Sequence, residues 1–236
     1  MNHISQSLIR DMLKPEGYCG HYLNEVYNNG FRTEPTAAMI DGLVFEQAIL
    51  GATARGEHWE IPKLKNGDKS KREQDLDVVI AFAREVLKTN EIIIETVQPH
   101  IEAGNRSGHI DAMGTYHGQP YIFDLKYSGM AYATYDREFK FGNITANYRL
   151  QALQYQSLIE SPLPFMFLVF GDGWCRFFEF LYEQLAVEHH KEVASEALET
   201  FNEMDYRPTS DSRLCFTCPM ASVCKVRNTI IQIEPL

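Results

Sequence analysis

Apolar and polar positions along this 236-residue chain change period several times, and each change predicts an element. Residues 4–13 and 20–27 read as short helices around Pro15-Glu16-Gly17. A clearer helix is predicted from Thr36 to Leu50: Pro35 precedes it, Thr36 can cap it and Gly51 can end it. Residues 63–72 form a basic loop, with Lys63, Lys65, Lys69, Lys71 and Arg72 around Asn66-Gly67, and a helix follows at 72–89. Strands are predicted at 91–103, where Ile92-Ile93-Ile94 is β-branched, and at 108–116 and 119–126, joined by His117-Gly118. Helix spacing returns at 144–160. Residues 164–171 and 174–181 read as a hairpin around Asp172-Gly173, a type I′ turn signal. A last helix at 182–203 leads into a tail.

This order predicts one α/β domain, a mixed sheet flanked by helices with both chain ends outside it. A helical segment, 1–35, would precede a core, 36–204, and a cysteine-bearing tail, 205–236, would follow. Hydrophobic residues make up 44% of the chain, enough for a sizeable core. No apolar run approaches the roughly 20 residues that span a bilayer. The first residues lack the basic-then-apolar pattern of a secretion signal, so the expectation is a soluble, cytoplasmic protein with no membrane role.

The net charge of −10 argues against a protein that coats nucleic acid non-specifically. It leaves a nuclease open, because carboxylates that hold a metal add negative charge that the metal offsets locally.

The most informative stretch is Gly108-His109-Ile110-Asp111 followed by Asp124-Leu125-Lys126. Side chains alternate along a strand, so Asp124 and Lys126 share a face with Ile122, while Leu125 points into apolar packing. A charged pair ending an apolar strand is costly unless it is exposed, paired or bound to metal. Two carboxylates supply hard oxygen donors for Mg²⁺ or Mn²⁺, and the lysine can position a water or neutralise a phosphate. An isolated Asp-x-Lys is common by chance. Asp111 raises its weight, as does Gly42-xxx-Glu46, where Glu46 lies one turn after a glycine that would let a backbone or substrate approach that helix face. Gln151 and Tyr155 share another helix face, and both can hydrogen-bond to a phosphate or to the lysine.

The ordered set Gly42-xxx-Glu46, Gly108-xx-Asp111, Asp124-x-Lys126 and Gln151-xxx-Tyr155 resembles the RecB-type nucleases of the PD-(D/E)xK superfamily. The resemblance implies a metal-dependent DNA nuclease with Glu46, Asp111 and Asp124 as metal ligands. It makes Lys126 the catalytic lysine and Gln151 and Tyr155 its substrate-side supports. Many members carry His at the position of Glu46, and glutamate there suits Mg²⁺.

Five cysteines are present: Cys19, Cys175, Cys215, Cys218 and Cys224. A disulfide framework does not suit a reducing cytoplasm. Cys215-xx-Cys218-xxxxx-Cys224 puts three thiols in one short segment, and a four-thiolate site needs one more, for which Cys19 is the better candidate. Cys175 reads as a buried apolar thiol. Spacing alone leaves Zn²⁺ and an iron–sulfur cluster both open. One N-terminal cysteine with a C-terminal triplet resembles the iron–sulfur RecB-type nucleases, including the CRISPR-associated four-cysteine exonucleases and the AddB subunit. That resemblance implies a [4Fe–4S] cluster that staples the chain ends.

Tyr132, Tyr135, Arg137, Phe139, Lys140 and Phe141 interleave aromatic and cationic groups, which suits single-stranded DNA or an apolar cover over the core. The expected activity is therefore an exonuclease on single-stranded or frayed DNA ends, in recombination, repair or CRISPR-type DNA processing, with protein partners drawn from those systems. The alternative is a non-catalytic DNA-binding or assembly module with a structural metal.

Overall fold

A computed structural model describes residues 1–14, 17–53, 56–141, 144–209 and 211–224. Pro15 and Glu16 of the expected helix break, and 225–236 of the tail, lie outside the described residues. Helices α1 (Gln6–Met12) and α2 (Gly20–Tyr27) lead to α3 (Ala37–Leu50) and α4 (Lys71–Thr89). Five strands follow: β1 (Ile92–Val97), β2 (His100–Ala103), β3 (Arg106–His109), β4 (Ala112–Tyr116) and β5 (Gln119–Tyr127). Then come α5 (Tyr132–Phe141), α6 (Ile144–Gln156), β6 (Phe165–Gly171), β7 (Trp174–Phe180), α7 (Gln184–Glu203) and α8 (Ser212–Thr217).

The main sheet has the order β1-β4-β5-β6-β7. All its pairings are antiparallel except β5–β6. A parallel pair needs a crossover, and α5 and α6 supply it. β6 is buried along its whole length, as its run Phe-Met-Phe-Leu-Val-Phe-Gly requires of a strand covered on both faces. Phe45, Leu76 and Val79 of α3 and α4 pack with Phe123, Leu125 and Phe170 on one face. On the other face Ile122, Phe165, Phe167 and Val169 pack with Tyr135 and Ala152 of α5 and α6. A third cluster joins Ile4, Leu8, Ile9 and Leu23 of the N-terminal segment to Ala194, Leu198 and Phe201 of α7.

The caps of α3 are as expected: the Thr36 hydroxyl accepts from the Met39 N–H at 3.3 Å, and Gly51 is left-handed with φ 77°. Other expectations are corrected. The run 91–103 is two strands, because Pro99 has no N–H for a ladder and breaks the ribbon. The run 108–116 breaks opposite it, so Asp111 sits in a bend and not in a strand. The outer halves, β2 and β3, form their own two-stranded sheet. Between β5 and α6, where the sequence pattern predicts no element, lies α5, whose Tyr132, Tyr135 and Phe139 have helical spacing. The helix expected over 144–160 ends at Gln156. Both central residues of His117-Gly118 have positive φ, 47° and 75°, as a type I′ turn needs. Asp172-Gly173 has positive φ at the glycine alone, 68°, so the primed turn is the other one. No helix among the described residues is long and apolar enough to cross a membrane.

Two glycines separate packing from propensity. A Cβ on Gly114 would lie 1.9 Å from the Ile93 carbonyl oxygen, where β1 pairs with β4 beside a register shift. A Cβ on Gly42 would meet nothing within 4 Å, so no backbone approaches that face of α3. Gly114→Ala should therefore lower stability by about 1–3 kcal/mol. Gly42→Ala should raise it by about 0.5–1 kcal/mol. Urea unfolding of both variants checks this, and equal effects would contradict the packing.

Candidate active site

The chain brings its charged motif together where the bent ribbon leaves the main sheet. β5 alternates: Phe123 and Leu125 enter the α3–α4 core, and Ile122 enters the α5–α6 core together with the face that carries Asp124 and Lys126. Asp124 is fully buried, whereas a third of the Lys126 side chain, 33%, stays open to solvent. The Lys126 ammonium lies against Asp124 Oδ1 as an ion pair. The other oxygen, Oδ2, accepts from Gln151 Nε2 of α6 at 2.6 Å. Tyr155, one turn on, interacts with Gln151 and lies half-buried near Asp124 and Asp111.

Asp111 Oδ2 accepts from the Leu125 N–H at 3.0 Å, which ties the bend to β5. Asp111 also lies close enough to Asp124 for their charges to repel. Glu46 approaches from α3, where its Oε1 accepts from Gln98 Nε2. The Gln98 N–H donates to the Asp111 carbonyl at 2.9 Å. Gln98 was hidden inside the single strand expected over 91–103, and the Gln-Pro pair was the signal that the ribbon breaks there. Every expected motif residue thus meets at one place: Glu46, Asp111, Asp124, Lys126, Gln151 and Tyr155.

Burial dominates the electrostatics. It pushes Asp111 well above the usual carboxylate range, and the Asp124 charge adds to it against the pull of Lys126. Asp124 is raised by burial, with Lys126 and its hydrogen bonds opposing. Burial raises Glu46 to about 7, opposed by Lys126 and reinforced by Asp124. Burial works against the Lys126 ammonium, yet Asp124 and Asp111 outweigh it and hold the lysine charged. The result is one fixed cation among three carboxylates that resist ionising together.

The five cysteines fall into two groups, and Cys175, expected to be buried, is only partly so. Cys19, Cys215, Cys218 and Cys224 all line one cavity between the N-terminal segment and the tail, with Tyr22 and Pro208. The Thr209 N–H donates to Cys19 Sγ at 3.5 Å. Cys175 lies apart, packed against the α3–α4 core, where burial raises its thiol. Among the described residues, no group of three or more His, Cys, Asp or Glu side chains stands in a geometry ready to hold a metal ion. The donor chemistry still sorts cleanly, with hard carboxylate oxygens at β5 and soft thiols at the cavity.

The aromatic run splits in two. Tyr135 is buried, and Phe139 stacks on Phe178 at 4.1 Å, so these cover the core. Tyr132, Arg137 and Phe141 face outward. Arg176 of β7, absent from the sequence reading, sits over the Phe178 ring at 4.8 Å and pairs with Asp136 at 2.5 Å. The expected basic loop is largely paired: Lys69 with Asp77, Lys71 with Asp75 and Arg72 with Asp41.

The fold is that of solved exonuclease structures. An alkaline exonuclease from Laribacter hongkongensis superposes with a TM-score of 0.54 at 12% identity, over 85% of this chain and 88% of the other. The same enzyme in complex with dAMP gives 0.53 at 13% identity, over 85% and 88%. A candidate exonuclease from Eubacterium rectale gives 0.58 at 12% identity, over 100% and 89%. No family model and no curated protein sequence matches the chain.

The raised carboxylates predict a pH signature in metal-free protein. Glu46 holds its proton more tightly when folded, about 7 against 4.5 unfolded, so its contribution is present below about pH 4.5 and lost as pH rises through about 7. In chelator, the melting temperature of the wild type should fall over this window relative to Glu46→Gln, by several degrees. Parallel melting profiles for the two proteins would show that Glu46 is not held protonated.

Proposed function

We propose that this protein is a divalent-metal-dependent deoxyribonuclease of the RecB-type PD-(D/E)xK class, an exonuclease acting on single-stranded or frayed DNA ends. The observation that carries the reading is the meeting of Asp111, Asp124, Lys126 and Gln151 at the end of one strand, with Glu46 beside them. The fold likeness to exonucleases supports it, and the dAMP complex of one such structure supports DNA as the substrate.

Glu46, Asp111 and Asp124 would hold the ion. Their buried, mutually repelling charges are what a hard dication offsets. Bound Mg²⁺ or Mn²⁺ would lower the pKa of a water and neutralise charge on the scissile phosphate. Lys126 contributes a permanent positive charge, partly open to solvent, for a phosphate oxygen. Gln151 holds Asp124 in one orientation, and Tyr155 backs Gln151 from the same helix. Tyr132, Arg137 and Phe141 give an incoming strand surfaces for stacking and backbone contact.

The four cysteines around one cavity support a second part of the reading, a [4Fe–4S] cluster bridging the terminal segments, with Zn²⁺ as the alternative occupant. Such an enzyme would work in the cytoplasm, in recombination, repair or CRISPR-type DNA processing, with protein partners from those systems.

Asp124→Ala and Lys126→Ala should each reduce hydrolysis of end-labelled DNA in Mn²⁺ by at least about 10²-fold, the usual loss of a catalytic group. Near wild-type cleavage by either folded variant would refute the assignment. Protein purified anaerobically from iron-replete cells should be brown. Serine at Cys19, Cys215, Cys218 or Cys224 should bleach it, and Cys175→Ser should not. Stoichiometric zinc without iron would select the alternative metal, and full colour in Cys19→Ser would remove the fourth ligand.

A further inference from the structure

Gln98 stands at the bend of the ribbon, between two of the candidate ligands. Its backbone has φ 50°, a left-handed conformation that costs free energy in any residue but glycine. The cost is larger here because Pro99 follows, and a proline favours extended backbone in the residue before it. The surroundings nevertheless hold Gln98 in place. Its N–H donates to the Asp111 carbonyl, and the Ile110 N–H donates to the Pro99 carbonyl at 3.1 Å.

The side chain is half satisfied. Gln98 Nε2 donates to Glu46 Oε1, while Gln98 Oε1 is buried and accepts no hydrogen bond. Where Glu46 is ionised, turning the amide over would set its carbonyl against the carboxylate, so Glu46 then fixes which end is the oxygen. A buried amide oxygen without a donor is uncommon and calls for a partner. That partner must be electropositive, and the carboxylate that holds the other end of the amide, Glu46, is itself within electrostatic reach of Asp124 and Lys126. A neutral amide oxygen is also a hard donor, and it adds no further negative charge to a cluster already crowded with it.

We propose, on the basis of the cation-dependent reading above, that Gln98 is a fourth oxygen donor of that site: Nε2 orients Glu46, and Oε1 serves the ion or a water the ion holds. The strained backbone is the cost of bringing this amide to the carboxylates. Its role is separable from that of Glu46, because the two ends of the amide do different things.

The test is calorimetric titration of Mn²⁺ into metal-stripped, full-length protein at pH 8, without DNA, for wild type, Gln98→Gly, Gln98→Glu and Asp124→Asn. Glycine fits the left-handed backbone and keeps the N–H donor, so Gln98→Gly should melt no lower than wild type in chelator. It should bind Mn²⁺ about 10- to 100-fold more weakly, the range for loss of a partner close to a metal. Gln98→Glu keeps an oxygen at the same place but loses the Nε2 donor to Glu46, so it should bind Mn²⁺ clearly more tightly than Gln98→Gly. Wild-type affinity in Gln98→Gly would overturn the proposal. Equal weakening in the glycine and glutamate variants would also overturn it, because Gln98 would then only orient Glu46. If wild type binds no Mn²⁺, or Asp124→Asn binds it as wild type does, the nuclease reading falls and takes this assignment with it. Asp124-dependent binding that ignores Gln98 removes the Gln98 assignment alone.

Discussion

The structure turns on a carboxylate buried inside a sheet. Asp124 has no exposed surface, and an ionised carboxylate there must be compensated by charge and hydrogen bonds. Lys126 supplies the charge from the next residue on the same face, and Gln151 supplies a hydrogen bond from α6. Asp111 and Glu46 then add negative charge that one lysine does not balance. The excess appears as carboxyl groups that hold their protons above the ordinary range. A core made only for stability would have apolar groups here, since unbalanced buried charge destabilises. The arrangement supports the proposed reading of a cation site that faces an anionic substrate.

The fold delivers these groups from four separate elements. The parallel step from β5 to β6 sends the chain through α5 and α6, which lays Gln151 over the strand that carries Asp124. The break at Gln98-Pro99 and Ile110-Asp111 lets the ribbon swing out of the main sheet, so Asp111 faces β5 from a bend. α3 brings Glu46 from the opposite layer, and Gln98 links it to the bend. The N-terminal segment and the tail meet outside this core, through apolar packing on α7 and around the cysteine cavity.

Much of this was legible in the sequence. Alternation around Asp124 and Lys126 gave their common face, and the capping of α3 was readable from Thr36 and Gly51. The grouping of Cys19 with the C-terminal three, and the separation of Cys175, followed from spacing and resemblance. The bend was missed because β-branched residues outweighed Pro99 in a run that looked continuous, and Gln98 was lost with it. Gly42 was read as a place of close approach, but only three-dimensional packing reveals that the face above it is open. Arg176 escaped notice because its ion-pair partner, Asp136, comes from α5, far away in sequence.

The central claim is that one cation is bound by the carboxylates gathered around β5. Anomalous diffraction at the manganese absorption edge, on crystals soaked in Mn²⁺, tests it directly. The account predicts a strong peak enclosed by Glu46, Asp111 and Asp124, with the Lys126 ammonium moved off Asp124 Oδ1. Fully occupied manganese elsewhere, with Lys126 still paired to Asp124, would contradict it.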